Sequence, residues 1–305
     1  MSRQPPKHTL ATAIVGIGNW GKNIARELAS MSHLVAYASS GSVDNINWMS
    51  SEVPSARRMS IREICDDPVI NAVVVATPIA FHFSVARLLL EAGKHTLVEK
   101  PLAQSSTEAN ELVRLASTRG LILATGYNFL FHPVLHNLRS RVQPTCIRKL
   151  SFEWFKFGTF SESIELNLLT HHIALSLAFL GPPLGGEIRR GPGIRSKCDS
   201  LEARLLYGSA EVISTIDRHS ASNSHTITFH TISGSLFFWK DNCLYYAKDQ
   251  LTQPTLVYHA TELALGAELA AFADAASAPS KSALPTGGHF GAEVLRVHEN
   301  LRIVK

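Results

Sequence analysis

A glycine turn directly after a short apolar run limits the folds open to this chain: Gly16-Ile17-Gly18-Asn19-Trp20-Gly21, preceded by the run from Leu10 to Val15 (LATAIV). Behind the turn, Lys22 to Ser32 sets Ile24 and Leu28 four apart, the spacing of one helix face, and Leu34 to Ala38 (LVAYA) is a second strand candidate. Strand, glycine turn, helix and strand within about 30 residues is the context in which G-x-G-x-x-G holds a dinucleotide. The glycines have separate physical jobs. Gly16 permits the tight turn, Gly18 lets a pyrophosphate approach the backbone, and Gly21 lets helix and strand pack closely. The helix N-terminus adds free amide donors and a partial positive charge. Asn19 and Trp20, inside the turn, are placed against the same ligand.

The position that selects the dinucleotide lies at the end of the second strand, about 20 residues past the glycines. An acid there accepts hydrogen bonds from a ribose 2'-hydroxyl and repels a 2'-phosphate. This chain has Ser39-Ser40-Gly41-Ser42, and no carboxylate before Asp44. Ser39 and Ser40 suit a phosphate better than they exclude one, which favours NADP over NAD. Arg57 and Arg58 either reach back to that phosphate or are solvated surface charges.

Two further units follow: a helix from Ile61 to Asp67, a buried parallel strand from Ala72 to Ala76 with Thr77-Pro78 as its closing turn, a helix from Phe83 to Ala92 ended by Gly93, and a strand from His95 to Val98. Helices alternating with short apolar strands imply a doubly wound parallel sheet of the Rossmann type, an α/β fold whose ligands sit outside the carboxyl ends of the strands. The stretch Leu97 to Gln104 (LVEKPLAQ) sets Glu99 and Lys100 at one of those ends. Taken alone it reads equally as a surface turn, because charges flank many strands and proline often stops one.

With 305 residues the chain exceeds the size at which single cores stop growing, so two domains are expected. At 45% hydrophobic and 18% charged it is globular, and no apolar run approaches the roughly 18 residues of a membrane span. Met1 to Thr9 has no apolar h-region and is not a secretory signal. Cys65, Cys146, Cys198 and Cys243 are scattered, which argues against a zinc site or other metal centre and for a reducing cytoplasmic location. A net charge of +4 with its basic residues spread out gives no nucleic-acid footprint and at most points to an anionic small molecule.

The second half changes texture. Cys146 to Lys156, Ala203 to Tyr207, Glu211 to Thr215, Thr226 to Ile232 and Ser235 to Trp239 read as antiparallel strands, with one clear helix from Asn167 to Leu180 ended by Gly181. The expected division is a dinucleotide-binding domain over 1–128 and an α+β domain with one open, mostly antiparallel sheet over 129–287. A final helix within 288–305, read from Ala292 to Val304, is expected to pack back on the first. An open sheet needs cover on its second face, so a homodimer or homotetramer is expected.

The chain resembles the Gfo/Idh/MocA family of NAD(P)-dependent oxidoreductases. The matching residues are the glycine turn at 16–21, Ala76-Thr77-Pro78 followed by His82, Glu-Ala-Gly-Lys-His at 91–95, Glu99-Lys100-Pro101, Gly126-Tyr127-Asn128 and Phe131-His132-Pro133. They cover the first 135 residues densely and the rest thinly. The resemblance implies that Thr77, Pro78, His82 and Glu99 belong to the cofactor site and that Lys100 lies beside the nicotinamide ribose and the substrate hydroxyl. A lysine there hydrogen-bonds the reacting oxygen and stabilises developing negative charge. The family commonly has a cis proline at the position of Pro101.

His171 falls on the family's helix histidine, ten residues before Gly181, and is assigned as general acid or base; the alternative is that His171 and His172 line a domain interface. A helical spacing of four would set Asn167 and His171 on one face. Here the chain departs from the family, which has an aspartate at the position of Asn167 and a glycine at that of Leu169. An amide still hydrogen-bonds a hydroxyl but cannot take a proton. Tyr127, Asn128, Lys156 and His172 are the further candidates for substrate contact. The expected reaction is hydride transfer between NADP, or NAD, and a carbinol or ketone carbon of a sugar, cyclitol or nucleotide-linked sugar. The missing carboxylate keeps two alternatives open: an imine or carbonyl reductase of a biosynthetic pathway, and a cofactor-binding regulatory protein without turnover.

Overall fold

The structure is a computed structural model that describes residues 10–158, 160–278 and 284–304. The chain divides into two compact units, one running to Gly126 and taking in Leu265–Ala292, the other Tyr127–Ala264 with the chain from Glu293 onward.

The first unit is built on six parallel strands: β1 (Thr12–Val15), β2 (Leu34–Ala38), β3 (Arg57–Arg58), β4 (Ala72–Val75), β5 (His95–Glu99) and β6 (Leu123–Gly126), in the order β3-β2-β1-β4-β5-β6. Every residue of β1 and β4 is buried, as expected of short β-branched runs covered on both faces. Helices α1 (Asn19–Ser30), α2 (Val43–Glu52), α3 (Ile61–Asp66), α4 (His82–Glu91) and α5 (Ser106–Thr118) supply the crossovers. The strand order reverses between β1 and β4, and that switch point is where a doubly wound sheet opens a crevice for ligand. Local caps set the helix starts: Ser60 and Glu63 form a reciprocal capping box on α3, and Ser105 accepts from the Glu108 amide on α5.

Helix α6 (Pro133–Arg141), helix α7 (Thr170–Leu180) and nine strands account for most of the second unit: β7 (Ile147–Phe155), β8 (Gly185–Arg190), β9 (Ser200–Leu206), β10 (Glu211–Asp217), β11 (Ser224–Thr231), β12 (Leu236–Lys240), β13 (Cys243–Ala247), β14 (Thr255–His259) and β15 (Arg302–Val304). Their order is β14-β13-β12-β11-β7-β10-β9-β8-β15, and only the β7–β10 and β8–β15 pairs are parallel. Buried and open positions alternate along β9 and β10, the period-two signature of a sheet with one face on a core.

Two segments behave differently from the sequence reading. Helix α8 (Ala264–Ser277) follows β14, yet its stripe Leu265, Leu269, Phe272, Ala273 and Ala276 joins the core of Ile14, Ile24, Leu28 and Leu97. The spacing of that stripe is one helix face, and its apolar partners are the strands and first helix of the parallel sheet. The last helix, α9 (Gly288–Glu299), stops at Glu299, and Arg302–Val304 are a strand instead of more helix. β-Branched Ile303 and Val304 pair with Ile188 and Arg189 of β8, and Arg302 forms an ion pair with Glu187 at 3.0 Å.

Candidate active site

Gly16 closes β1 with φ +102°, and a Cβ there would run into the Ala76 carbonyl. A Cβ on Gly21 would strike the Gly16 carbonyl, whereas around Gly18 nothing lies within 4 Å of the Cβ position. Two glycines therefore let the turn close and the third leaves room above it. Helix α1 has no capping side chain and no acid in its first turn. Its orphan amides and partial positive charge stay available to an anion. Asn19 and Trp20 begin that helix, with Trp20 41% exposed. This turn fits the pyrophosphate of a dinucleotide.

At the end of β2, the Ser39 hydroxyl accepts a hydrogen bond from the Gly41 amide at 3.0 Å, and Ser40 is exposed. The first acid beyond them, Asp44, sits in the first turn of α2. Of the two arginines on the neighbouring β3, Arg57 is taken up by Asp67 at 2.8 Å, while the exposed Arg58 lies opposite Tyr37.

The carboxyl end of β5 concentrates charge. Buried Glu99 accepts the Trp20 indole N–H at 2.6 Å on one oxygen and the Lys100 amide at 3.2 Å on the other. Burial pushes its carboxyl up, and the Lys100 charge and the indole bond oppose that shift. Gly126 stands opposite Glu99 in the β5–β6 ladder, and a Cβ on it would lie 2.9 Å from the carboxylate oxygen. The Lys100–Pro101 peptide is cis. On α8, Glu268 is 1% exposed, and neither of its carboxyl oxygens has a hydrogen-bond partner among the described residues. Burial, then the charge of Glu99, holds Glu268 well above the usual carboxylate range. Two interacting buried carboxyls do not both ionise. Glu268, which has no donor, is the more strongly raised of the two and keeps its proton, whereas the two donors and the Lys100 charge at Glu99 favour its ionised form.

His82 is buried, with Nδ1 2.7 Å from the Pro101 carbonyl oxygen and Nε2 2.9 Å from that of Thr77. The ring thus braces the turn after β4 against the turn after β5. Thr77 is half-buried and Pro78, exposed, leads into the short 3-10 turn Ile79–Phe81.

In the second unit an aromatic and imidazole group gathers around Phe129. Its ring stands edge-on to His171 at 5.2 Å, His225 at 5.4 Å, Trp239 at 5.9 Å and Trp154 at 6.3 Å. Buried Tyr127 meets His171 edge-on at 6.2 Å, and Asn128 opens the 3-10 turn that carries Phe129. Trp154 stacks on His225 at 4.3 Å and tilts against His171 at 5.5 Å. His172 is fully enclosed, stacked on Phe152, with its Nε2 3.2 Å from that of His225. That contact needs one ring to donate and the other to accept. Burial, with a smaller contribution from His225, keeps His172 well below the usual imidazole range, and burial brings His225 down to about 4. Both rings are neutral at pH 7.

Asn167 lies in a turn of π-helix, Glu165–Leu169, and α7 begins only at Thr170. The α-helical spacing of four assumed between Asn167 and His171 is therefore widened, a local distortion frequent at functional sites. Glu165 anchors this turn by accepting two bonds from Arg190, at 2.6 and 3.0 Å, and one from His298 at 3.0 Å. Burial alone would raise its carboxyl, but these partners hold it down to about 2. Lys156, half-buried just past β7, donates its amide to the Asp217 carbonyl at 2.9 Å.

Sequence reasoning did not single out Glu268, Phe129, Trp154 or His225. Glu268 had one available signal, a lone acid inside the apolar run Leu263 to Ala273. His225 had none, because nothing in Asn223-Ser-His-Thr226 ties it to a histidine 53 residues earlier.

Residues 10–127 match the family model described as "Oxidoreductase family, NAD-binding Rossmann fold". That model is of the Gfo/Idh/MocA oxidoreductases, and it covers the dinucleotide-type first part of the chain. It is 26% identical over 255 residues to the UDP-N-acetylglucosamine 3-dehydrogenase of Acidithiobacillus ferrooxidans, across 82% of this chain and 77% of the relative. The crystal structure of the dehydrogenase of that name and organism matches with a TM-score of 0.85 at 23% identity, covering 96% of both chains. A 3-ketoreductase from Actinomadura kijaniata, solved in complex with TDP-benzene and NADP, gives a TM-score of 0.81 at 16% identity, covering 97% of this chain and 99% of that one. At these identities the solved structures speak to the fold alone.

Proposed function

We propose that this chain is an NADP-preferring oxidoreductase acting on a ring carbinol or ketone of a nucleotide-linked sugar. The observation that carries the reading is the end of β5, where Lys100 follows the buried, indole-bonded Glu99 at the mouth of a dinucleotide-type sheet. The likeness to a UDP-sugar dehydrogenase over most of the chain supports the substrate class. Bound NADP supplies or accepts the hydride. The turn Gly16–Gly21 holds the pyrophosphate, and Ser39 and Ser40 receive the 2'-phosphate. Thr77 and Pro78 border the cofactor site, and His82 braces its two turns. Lys100 hydrogen-bonds the reacting oxygen and steadies its developing charge. His171 carries the proton, with Tyr127 beside it and Asn167 holding a substrate hydroxyl. Asn128, Lys156 and His172 are the remaining candidates for the substrate pocket. We place the enzyme in a reducing cytoplasm, in keeping with four free cysteines, and as a homodimer or homotetramer. Among the described residues no helix is long and apolar enough to cross a membrane.

The test is to follow reduced nicotinamide absorbance with NADP or NAD and a panel of UDP-sugars, TDP-sugars and free sugars. Turnover of a nucleotide sugar that falls at least a hundredfold in both Lys100→Ala and His171→Ala is expected; turnover unchanged in both would overturn the roles. Asn167 favours a second reading, an imine or carbonyl reductase, because an amide cannot stabilise a protonated imidazole. Keto and imino substrates reduced in the same assay, with no sugar oxidised, would establish it.

A further inference from the structure

Arg218 is the largest wholly enclosed side chain among the described residues, at 0% exposure, and none of its Nε, Nη1 and Nη2 has a hydrogen-bond partner there. A guanidinium does not give up its proton in a protein, so five N–H donors and a full charge are buried here without an acceptor. Buried polar groups are almost always satisfied, and one this costly calls for a reason.

Asp199, the acid whose charge acts most on it, does not provide the acceptor. Asp199 is itself fully buried, and its Oδ2 accepts from the amides of Ile194, Arg195 and Ser196, while the Ser196 hydroxyl bonds Oδ1. His219 Nε2 lies 3.3 Å from the same carboxylate. Asp199 therefore fixes the 194–196 turn and balances charge at a distance. Around it the same end of the sheet carries Arg195, whose guanidinium lies over Phe157 at 5.1 Å and Phe160 at 5.5 Å, and Lys156, bonded through its amide to Asp217.

Register locates this end relative to the aromatic group. Trp154 stands opposite both Ile216 on β10 and His225 on β11. The Arg218 amide bonds the Asp199 carbonyl at 2.9 Å, extending the β9–β10 ladder by one step. Successive strand residues alternate faces, so Arg218 shares the face of Ile216, Trp154 and His225, about 6.6 Å further along the strand. That is the scale of one pyranose ring, the separation between a reacting ring carbon and a phosphate on the anomeric oxygen.

The geometry points to Arg218 as the anion subsite of the second unit, its guanidinium taking the phosphate of a glycosyl phosphate or diphosphate whose sugar ring lies over Trp154 and His225. This deepens the nucleotide-sugar reading of the preceding section and rests on it for the substrate, though not for the anion. The guanidinium is enclosed, so the phosphate enters by displacing side chains that cover it.

The subsite is tested without turnover, by calorimetric titration of the full chain, saturated with NADP so that the Gly16–Gly21 turn is filled, with inorganic pyrophosphate, UDP, glucose 1-phosphate and N-acetylglucosamine. Wild type is expected to bind the phosphates and not the free sugar. Arg218→Met, which keeps the stem and removes the unpaired charge, is expected to lose at least tenfold in phosphate affinity with NADP affinity unchanged, and Arg218→Lys to lose less. UDP binding much tighter than glucose 1-phosphate identifies a diphosphate, and the reverse identifies a monophosphate; either supports the subsite. Wild-type affinity in Arg218→Met, or no binding of any phosphate by wild type, overturns it. Should neither variant fold, a rise in the melting temperature of NADP-saturated wild type, whose Gly16–Gly21 turn is already filled, with pyrophosphate but not with sodium sulfate at matched ionic strength supports the subsite, and equal rises or none overturn it. Phosphate binding without oxidation of any nucleotide sugar would defeat the substrate reading and leave the subsite standing. Turnover of free sugars with no phosphate bound would do the opposite.

Discussion

The indole N–H of Trp20 donates to the carboxylate of Glu99 at 2.6 Å, tying the first turn of α1 to the strand end that carries Lys100. Trp20→Phe removes the donor and leaves a buried carboxylate with one fewer partner. A stability loss of about 1–3 kcal/mol is expected in urea unfolding, together with weaker cofactor binding in fluorescence titration.

Gly126→Ala tests the same carboxylate from the other side, because the new methyl would sit 2.9 Å from its oxygen. The backbone there is ordinary strand, so the fold should survive and Glu99 should be displaced. We expect kcat to fall by more than the melting temperature would suggest; turnover equal to wild type would detach Glu99 from the chemistry.

Glu268 is held protonated, its pKa raised above the unfolded value of 4.5. An acid whose folded pKa is raised takes up a proton on folding, so its stabilising share is complete below pH 4.5 and declines as pH rises. Glu268→Gln removes that dependence while keeping the shape. Scanning calorimetry should show the variant gaining on wild type steadily from pH 5 to pH 8. A constant difference across that range would count against a buried proton.

The imidazole pair has the opposite sign of response to acid. His225 titrates near 4 in the fold against 6.5 unfolded, and His172 is depressed with it. Folding therefore excludes protons, and stability is complete above pH 6.5 and lost as pH falls toward 4, by at most about 3 kcal/mol for His225. Replacing His225 with phenylalanine should flatten unfolding free energy over that window, and an unaltered slope would show that the pair does not titrate.

The parallel sheet was readable from sequence because its causes are local. β-Branched runs of four residues, glycines at fixed offsets and helix stripes each declare themselves within a dozen positions, and Gly16, Gly18 and Gly21 have the separate geometries their spacing implies. Lys100 was legible for the same reason, being next to a strand end. What escaped depended on partners far along the chain. Glu268 matters through Glu99, 169 residues away, and His225 through His172; each lies in a stretch whose local pattern is plain helix or plain strand. The π turn at Glu165–Leu169 was missed because its composition, ELNLL, is that of any helix, and its anchors Arg190 and His298 come from β8 and α9.

Helix α8 completes the parallel-sheet core with residues that follow Gly126 by some 140 positions. During synthesis on a ribosome, the nucleotide-type unit must therefore wait, its core still open, while the whole intervening sheet domain is made. A fragment ending at residue 128 would leave bare the patch meant for Leu265, Leu269 and Phe272, and should aggregate or bind a hydrophobic dye. Supplying residues 264–292 in trans should restore it.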